Sequence, residues 1–592
     1  MNSSIIRKNI SWGKVIIFST LSYFHQAYAI TPQDLSPGDY QWYKEKITNT
    51  HKALDDQAKE DIDQGIGNKE SLHKSTDKKT KAPQKEKKKS NSNDGCISVN
   101  AIKFEGGDIL SVEVKESIEA EYSNKCLTAS DIESAMSTLV NWLISEGYST
   151  TRVYLEAQDL TSGILRMRIQ KGIVADIILE DDDEGSLYLP TLFPFMKGEL
   201  LDLVKIEQGI SQANKQRSNK ATMEIVPGEK AGDSIVIVRN ETSLPVHFNA
   251  SLDNHGSETT GQIQAAVTIT GDNFIGLNDT LTFTHRQSVQ DLRVNLPGKS
   301  MSDSIALMIP VGFFTHTLSY SRSTYESKLN APSGAELIST GSTDSISGTI
   351  DRVMFRNTDT ITNSYVKLNY NRGINYLNDL RLDVSSKDTA NMTFGSSVSS
   401  KIFDNPWSLS LNYSIGVPLF GAEGNPDNSH ESHPVPLFKK IVMDMSYTQP
   451  LSWLSDNLTL TSSISAQYAL TNLPSSQRMS IGSKSSVHGY NDNSLSGDDG
   501  GYIKNEISLR NIIGSNSAGI SASINAGYDF GWVKNRYDEG SGSDGSLSGG
   551  TIGLTIFWKK VTATFSYDFA LDKPESMSRE SGQFWWRLNI NI

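Results

Sequence analysis

From Leu244 to the terminal Ile592 the chain runs in short segments that alternate apolar and polar residues, divided by clusters of Gly, Asn, Asp and Ser. A period of two is the signature of strands. Phe248, Ala250 and Leu252 alternate with Asn249, Ser251 and Asp253, and Leu458, Leu460, Ile464, Ala466 and Tyr468 share one parity. Ile552, Leu554, Ile556 and Trp558 share another, which switches after Lys559-Lys560 to Val561, Ala563, Phe565, Tyr567 and Phe569, as a two-residue hairpin requires. The last segment sets Phe584, Trp586, Leu588, Ile590 and Ile592 against Trp585, Arg587, Asn589 and Asn591. Past the N-terminus no window holds the ~20 consecutive apolar residues of a helical span. Strands with one apolar face, aromatics at their ends and a polar opposite face instead suit a transmembrane antiparallel β-barrel. A soluble sandwich is the alternative, and it explains the terminal aromatics less well. The candidate segments number roughly 16 to 17; bacterial barrels have even strand numbers, so about 16 strands are expected. A barrel of that size without apolar residues packed inside encloses an aqueous lumen, which some element must block at rest.

The N-terminus reads as a signal peptide over residues 1–29. Arg7, Lys8 and Lys14 precede a short apolar run from Val15, and Ala27-Tyr28-Ala29 is an A-x-A cleavage site. The net charge of -13 argues against nucleic acid as a partner. In an exported chain the two cysteines, Cys96 and Cys126, read as one disulfide rather than two reduced thiols. Such a bridge stabilises its domain by roughly 3–4 kcal/mol in the chain-entropy model. No histidine cluster accompanies them, so no metal site is expected. Within 30–64, Asp39 can cap a helix reaching about Glu60, with sparse apolar residues (Tyr40, Tyr43, Ile47, Leu54) suited to solvent or a wet pore. Residues 65–95 are lysine-rich and lack the apolar content to fold, so a disordered linker is expected.

Between linker and barrel lie two small α+β units. In 96–172 an opening strand (Ile97, Val99, Ile102, Phe104) precedes a helix over 112–122 and a second helix begun by the capping signature Thr128-x-x-Asp131. Ile132, Met136, Leu139 and Leu143 mark its buried face, Gly147 stops it, and strands follow near 152–158 and 164–170. The unit at 173–243 repeats this order, with strands near 173–180, 221–226 and 234–239 and a helix over 202–215. The acidic run 180–184 reads as a solvated loop. Neither unit holds a phosphate loop, paired carboxylates or a Ser/His/Asp constellation.

One stretch interrupts the barrel pattern. Residues 484–506, KSSVHGYNDNSLSGDDGGYIKNE, form a long loop between strands, and a loop of that length in a strand-dense region usually has work to do. Parity places the neighbouring walls. In 520–532 the apolar residues are Ile520, Ala522, Ile524, Tyr528, Phe530 and Trp532, which turns Asp529 and Gly531 to the lumen. After the loop, Lys504, Glu506, Ser508 and Arg510 share the inward parity.

These words resemble one family. Glu146-Gly147-Tyr148-Ser149-Thr150-Thr151-Arg152-Val153-Tyr154-Leu155 and Gln158-Asp159-Leu160-Thr161-Ser162-Gly163 resemble the first POTRA domain of the two-partner secretion outer-membrane transporters of the Omp85 superfamily, which export haemolysins, filamentous haemagglutinins and contact-dependent inhibition toxins. Asp202-Leu203 through Glu207-Gln208-Gly209, with Pro227-Gly228, resembles the second POTRA domain, and Asp253-Asn254-His255-Gly256 with Thr260-Gly261 resembles the first barrel hairpin. Val487-His488-Gly489-Tyr490 and Leu495-Ser496-Gly497-Asp498 resemble the loop that folds back into the barrel. The resemblance implies an N-terminal plug helix (30–64), a linker, periplasmic POTRA domains at 96–172 and 173–243, and a barrel at 244–592 with an inward-folded loop at 484–500. It also implies a Cys96–Cys126 disulfide, client contacts at Gln158, Asp159 and Leu160, and a bond from the loop to Asp529 beside Gly531. The family has Arg where this chain has His488, and an aromatic where it has Gly527. His makes at most one bond per nitrogen, whereas Arg grips a carboxylate with two, so a weaker anchor is expected.

The implied function is export of one large secreted exoprotein, recognised by its N-terminal secretion domain, across the outer membrane of a Gram-negative bacterium. The implied surroundings are outer-membrane lipid and the barrel-assembly machinery that inserts the chain. No catalytic residue or cofactor is needed. The alternative is an insertase that assembles other outer-membrane barrels, whose loss would disturb many proteins instead of one. A lipase or protease is disfavoured: the ten histidines form no spaced cluster and no triad is legible.

Overall fold

The computed structural model describes residues 96–592 apart from 181–185, 257–260, 290–297, 331–335, 358, 384–385, 404, 427–432, 491–492, 514–518, 538–543, 576 and 578–579. The segments read as signal peptide, plug helix and linker lie outside the described residues, as does most of the acidic run 180–184.

In the first unit Thr128 starts the helix Ala129–Ser145 with a reciprocal capping box: its hydroxyl accepts the Asp131 N–H, and its own N–H donates to the Asp131 carboxylate. Ile132, Ala135, Leu139 and Leu143 are the buried stripe of that helix, packed with Val99, Ile102, Leu165 and Met167. The helix Val112–Tyr122 is N-capped by Ser111, whose hydroxyl accepts the Val114 N–H at 3.3 Å. The opening strand differs from the sequence reading. It is two pieces, Ile97–Val99 paired antiparallel with Lys125–Leu127, and Ala101–Glu105 paired parallel with Ile164–Gln170. The split lets one short run tie two ladders. Cys96 and Cys126 are joined by a disulfide beside the first of these, with Cα atoms 5.3 Å apart. The strand expected over 152–158 ends at Tyr154, for a reason given below.

The second unit forms a three-stranded sheet in the order Ile173–Leu179, Asp233–Thr242, Asn219–Pro227, covered by the helix Leu203–Ala213, which Asp202 caps. Its polar side meets the barrel. Gln208 and Gln212, four residues apart and so on one face, donate to the Gly312 carbonyl at 3.3 and 2.8 Å. Gln216 donates to the Asp279 carbonyl at 2.6 Å, and the Asn278 amide donates to the Tyr188 carbonyl at 2.8 Å. The barrel turns at 273–279 and 312–313 therefore belong to the rim that faces the second α+β unit.

The barrel closes when the first strand, Val246–Asp253, pairs with the last, Gln583–Asn591. Sixteen strands make the wall; the two-residue piece Leu380–Arg381 merely folds back on Ile361–Leu377. Outward residues such as Tyr528, Phe530, Trp532, Trp558 and Phe584 are exposed, as lipid-facing aromatics should be. Lys559-Lys560 is the hairpin expected, with Trp558 opposite Val561. Regular pairing runs to Leu509 and resumes at Ile513, so strand parity does not fix the side on which Arg510 lies. Among the described residues no helix is long and apolar enough to cross a membrane.

Candidate functional site

The segment between the wall strands Leu458–Ala469 and Asp499–Ile513 turns into the barrel. It begins earlier than the sequence boundary of 484, because the Gly- and Ser-rich words are only its tip. Met479–Ile481 and Leu495–Gly497 pair as a small hairpin at its base. Asp498, fully buried, ties that base: its carboxylate accepts the N–H of Leu473 at 2.9 Å and of Arg536 at 3.2 Å.

The interior here is not simply wet. Met479, Ile481, Val487, Tyr490 and Leu495 of the inward segment pack with Tyr502, Val533, Leu547 and Met577 into a buried apolar cluster. The expectation of an aqueous lumen is corrected for this side of the barrel. The wall there includes small residues, so the segment's own apolar side chains can reach it and exclude water.

The four loop residues each meet the wall differently. Val487 lies over Gly531, where an added Cβ would sit 3.0 Å from the valine methyl. His488 donates its backbone N–H to Asp529 at 3.1 Å, and its ring Nδ1 hydrogen-bonds the same carboxylate oxygen. Asp529 is 1 % exposed, so a carboxylate in that position requires such partners. Gly489 has φ 91°, and a Cβ on it would fall 2.2 Å from the Phe569 carbonyl carbon, so only glycine passes this close to the wall. Tyr490 is buried, and its hydroxyl donates to the carbonyls of Ser548 and Asp572 at 3.0 and 2.6 Å. The structure thus brings Val487, His488, Gly489, Tyr490, Asp529 and Gly531 together. A small cavity beside His488 is lined by Thr461, Lys504, Glu506, Gly527 and Thr551. Gly527, where the family pattern has an aromatic, opens onto it.

Gln158, Asp159 and Leu160 lie far from this centre, in the first POTRA unit, and have local partners. The Gln158 side-chain amide donates to the Arg166 carbonyl at 2.9 Å and accepts its N–H at 2.7 Å. It stands in for a strand residue, which is why the strand stops at Tyr154. Asp159 accepts the Thr161 N–H and hydroxyl, and these bonds hold its carboxyl below the usual carboxylate range. Leu160 packs against the domain core.

Sequence reading passed over the wall partners of Tyr490, because backbone carbonyls carry no sequence signal. It also passed over Trp585, which has the polar parity of the last strand but is buried against the His255 ring at 5.5 Å.

The chain is similar to known proteins over most of its length. The family described as haemolysin secretion/activation protein ShlB/FhaC/HecB matches residues 232–556, a ShlB-type POTRA domain matches 97–172 and a further POTRA domain matches 173–227. The outer membrane transporter CdiB of Dickeya dadantii is 28% identical over 84% of this chain and 87% of its own. The hemolysin transporter protein ShlB of Serratia marcescens is 25% identical over 79% of this chain and 80% of its own. The solved structure of CdiB from Escherichia coli superposes with a TM-score of 0.77 at 26% identity, covering 91% of this chain and 98% of that one. A sixteen-strand barrel behind two POTRA domains, with a buried loop seated on its inner wall, therefore makes this chain a member of the haemolysin secretion/activation family of outer-membrane transporters, with its POTRA domains in the periplasm.

Proposed function

We propose that this protein exports one large secreted exoprotein, a haemolysin, adhesin or contact-dependent inhibition toxin, through its barrel. The observation that carries the reading is the inward segment: a buried, wall-anchored plug of chain inside a barrel whose periplasmic rim carries two receiving domains. The exoprotein's N-terminal secretion domain docks on the POTRA units in extended form, adding a strand to an exposed sheet edge. The inward segment then yields, and the client passes. In this reading residues 1–29 are removed on export, 30–64 form a helix that helps to block the lumen, and 65–95 tether it. The barrel-assembly machinery inserts the chain into outer-membrane lipid. The work is done by binding and folding, without catalytic residues or a cofactor.

The test is to look beside this chain's gene for one encoding a large exoprotein, co-express the two, and score the exoprotein's surface or medium level. Removing residues 96–241 should abolish export while the barrel still inserts. Undiminished export would overturn the reading. An insertase reading predicts instead that deleting the gene depletes many outer-membrane proteins.

At the anchor, His488→Arg should preserve or improve export, since Arg offers Asp529 a permanent charge and a second bond. Loss of export by a folded, inserted H488R protein would refute the pairing's role.

A further inference from the structure

The wall repeats one word. Tyr528-Asp529-Phe530 and Tyr567-Asp568-Phe569 lie on the strands Ile520–Lys534 and Val561–Asp572, which flank the strand Gly545–Trp558. In each, two outward aromatics turn a single carboxylate to the interior. Asp529 receives His488. Asp568 is fully buried, with one carboxylate oxygen accepting the Thr551 hydroxyl and the other accepting no hydrogen bond among the described residues.

Lys484, four residues before His488, faces that second carboxylate. Its ammonium lies 3.6 Å from Asp568, donates to the Ser566 hydroxyl at 2.8 Å, and stands 5.5 Å from the centre of the Trp585 ring. Ser566 is paired with Trp585 across the last two strands. The Lys484 carbonyl in turn accepts the Lys504 ammonium at 2.8 Å from the wall strand Asp499–Ile513. The lysine therefore touches three wall strands, one of them the strand that closes the barrel.

We propose that Lys484 is the principal latch residue of the inward segment: its ammonium against Asp568 holds the segment closed and takes over the role that an Arg at position 488 would have. The inference rests on the reading of this segment as the export gate. The physical argument is the contrast between the two contacts. A His–carboxylate bond survives with neutral imidazole and carries little Coulomb energy. Withdrawing Lys484 leaves a fully buried carboxylate without its counter-charge, which is strongly unfavourable until water enters. The ring face of Trp585 adds a cation–π contact that only a cation at 484 can use. Lys484 is a positioning residue; it meets the wall, not the client.

The experiment uses the full-length protein in the outer membrane of intact cells and needs no client, so its failure is separable from failure of the export reading. Ser486 is 1 % exposed, and its hydroxyl bonds that of Ser483 within the loop. The variant Ser486→Cys therefore reports opening through its labelling rate with a membrane-impermeant maleimide. Barrel folding is checked by heat-modifiable migration on gels. In this background Lys484→Met should raise the labelling rate at least about tenfold, more than His488→Ala does, and Lys484→Arg should return it to the parent rate. Asp568→Asn should label as fast as Lys484→Met, and the double variant no faster than either. The proposal is overturned if K484M labels at the parent rate, if K484R labels as fast as K484M, or if H488A exceeds K484M. If K484M fails to insert, D568N alone decides: labelling at the parent rate refutes the latch.

Discussion

At the scale of single residues, the anchored tip tolerates little change because it lies against backbone as well as side chains. Gly489→Ala adds a methyl where the Phe569 and Ala570 main chain already stands, at a φ that alanine disfavours. A cost of about 2 kcal/mol or more is expected, so export of the co-expressed exoprotein should fall at least tenfold, read from its surface level. Tyr490→Phe removes only a hydroxyl, but it leaves the carbonyl of the buried Ser548 and that of Asp572 without this donor. The loss should be about 1–2 kcal/mol, seen as faster protease cleavage within the inward segment while the barrel still migrates as folded. A shape-conserving change thus has a smaller effect than a methyl, which is the opposite of what polarity alone suggests.

At the scale of elements, two short devices hold the first POTRA domain. Thr128→Ala removes one half of the capping box and should destabilise that domain by about 1 kcal/mol, detectable as earlier proteolysis there in detergent-solubilised protein. The hydrogen bonds from Thr128 keep the Asp131 carboxyl below its ordinary range. A depressed folded-state pKa contributes stability that is present at neutral pH and is lost as pH falls through that value. The wild-type domain should therefore loosen on acidification below about pH 4, and Asp131→Ala should flatten that dependence. Gln158 separates two meanings of its motif. As a ladder substitute bonded to both backbone groups of Arg166, its change to Ala should lower domain stability by about 1–2 kcal/mol. As a client contact, it should instead weaken export with the domain's stability intact. Measuring both in one variant decides between them.

At the scale of the whole molecule, the second POTRA domain and the barrel are joined by hydrogen bonds at one rim. The glutamine side chains of the second POTRA domain bond the main chain of the periplasmic turns at Asp279 and Gly312, so that domain is fixed to the rim. The opposite rim bears the tallest strands: Glu336–Arg356 has 21 residues, about twice what a tilted strand needs to cross. The seam is thin, with five residue pairs between first and last strands. Arg587 reinforces it by donating to Asp253 at 2.9 Å. Arg587→Ala should accordingly weaken closure, seen as a lower temperature for the shift from folded to unfolded migration on gels, because Asp253 would stay buried without this partner.

Much of this was legible in the chain. Period-two alternation is local, so it marked the barrel, turned Asp529 and Gly531 inward, and placed the Lys559-Lys560 hairpin. The capping signature and helical spacing marked the POTRA helices for the same reason. The loop's meeting with Asp529 was legible only through family resemblance, since nothing local links residue 488 to residue 529. Three things belonged to the tertiary structure. The inward segment carries its own apolar cluster, because Val487, Tyr490 and Ile481 acquire partners only when distant glycine-containing wall strands approach. Gln158 acts as a strand residue, because the gap it fills lies on another segment. Lys484 meets Asp568 and Trp585, although the second Tyr-Asp-Phe word was visible throughout. Parity says which way a side chain points; which charge waits there depends on strand register and on how far a remote loop reaches, and both are properties of the closed barrel alone.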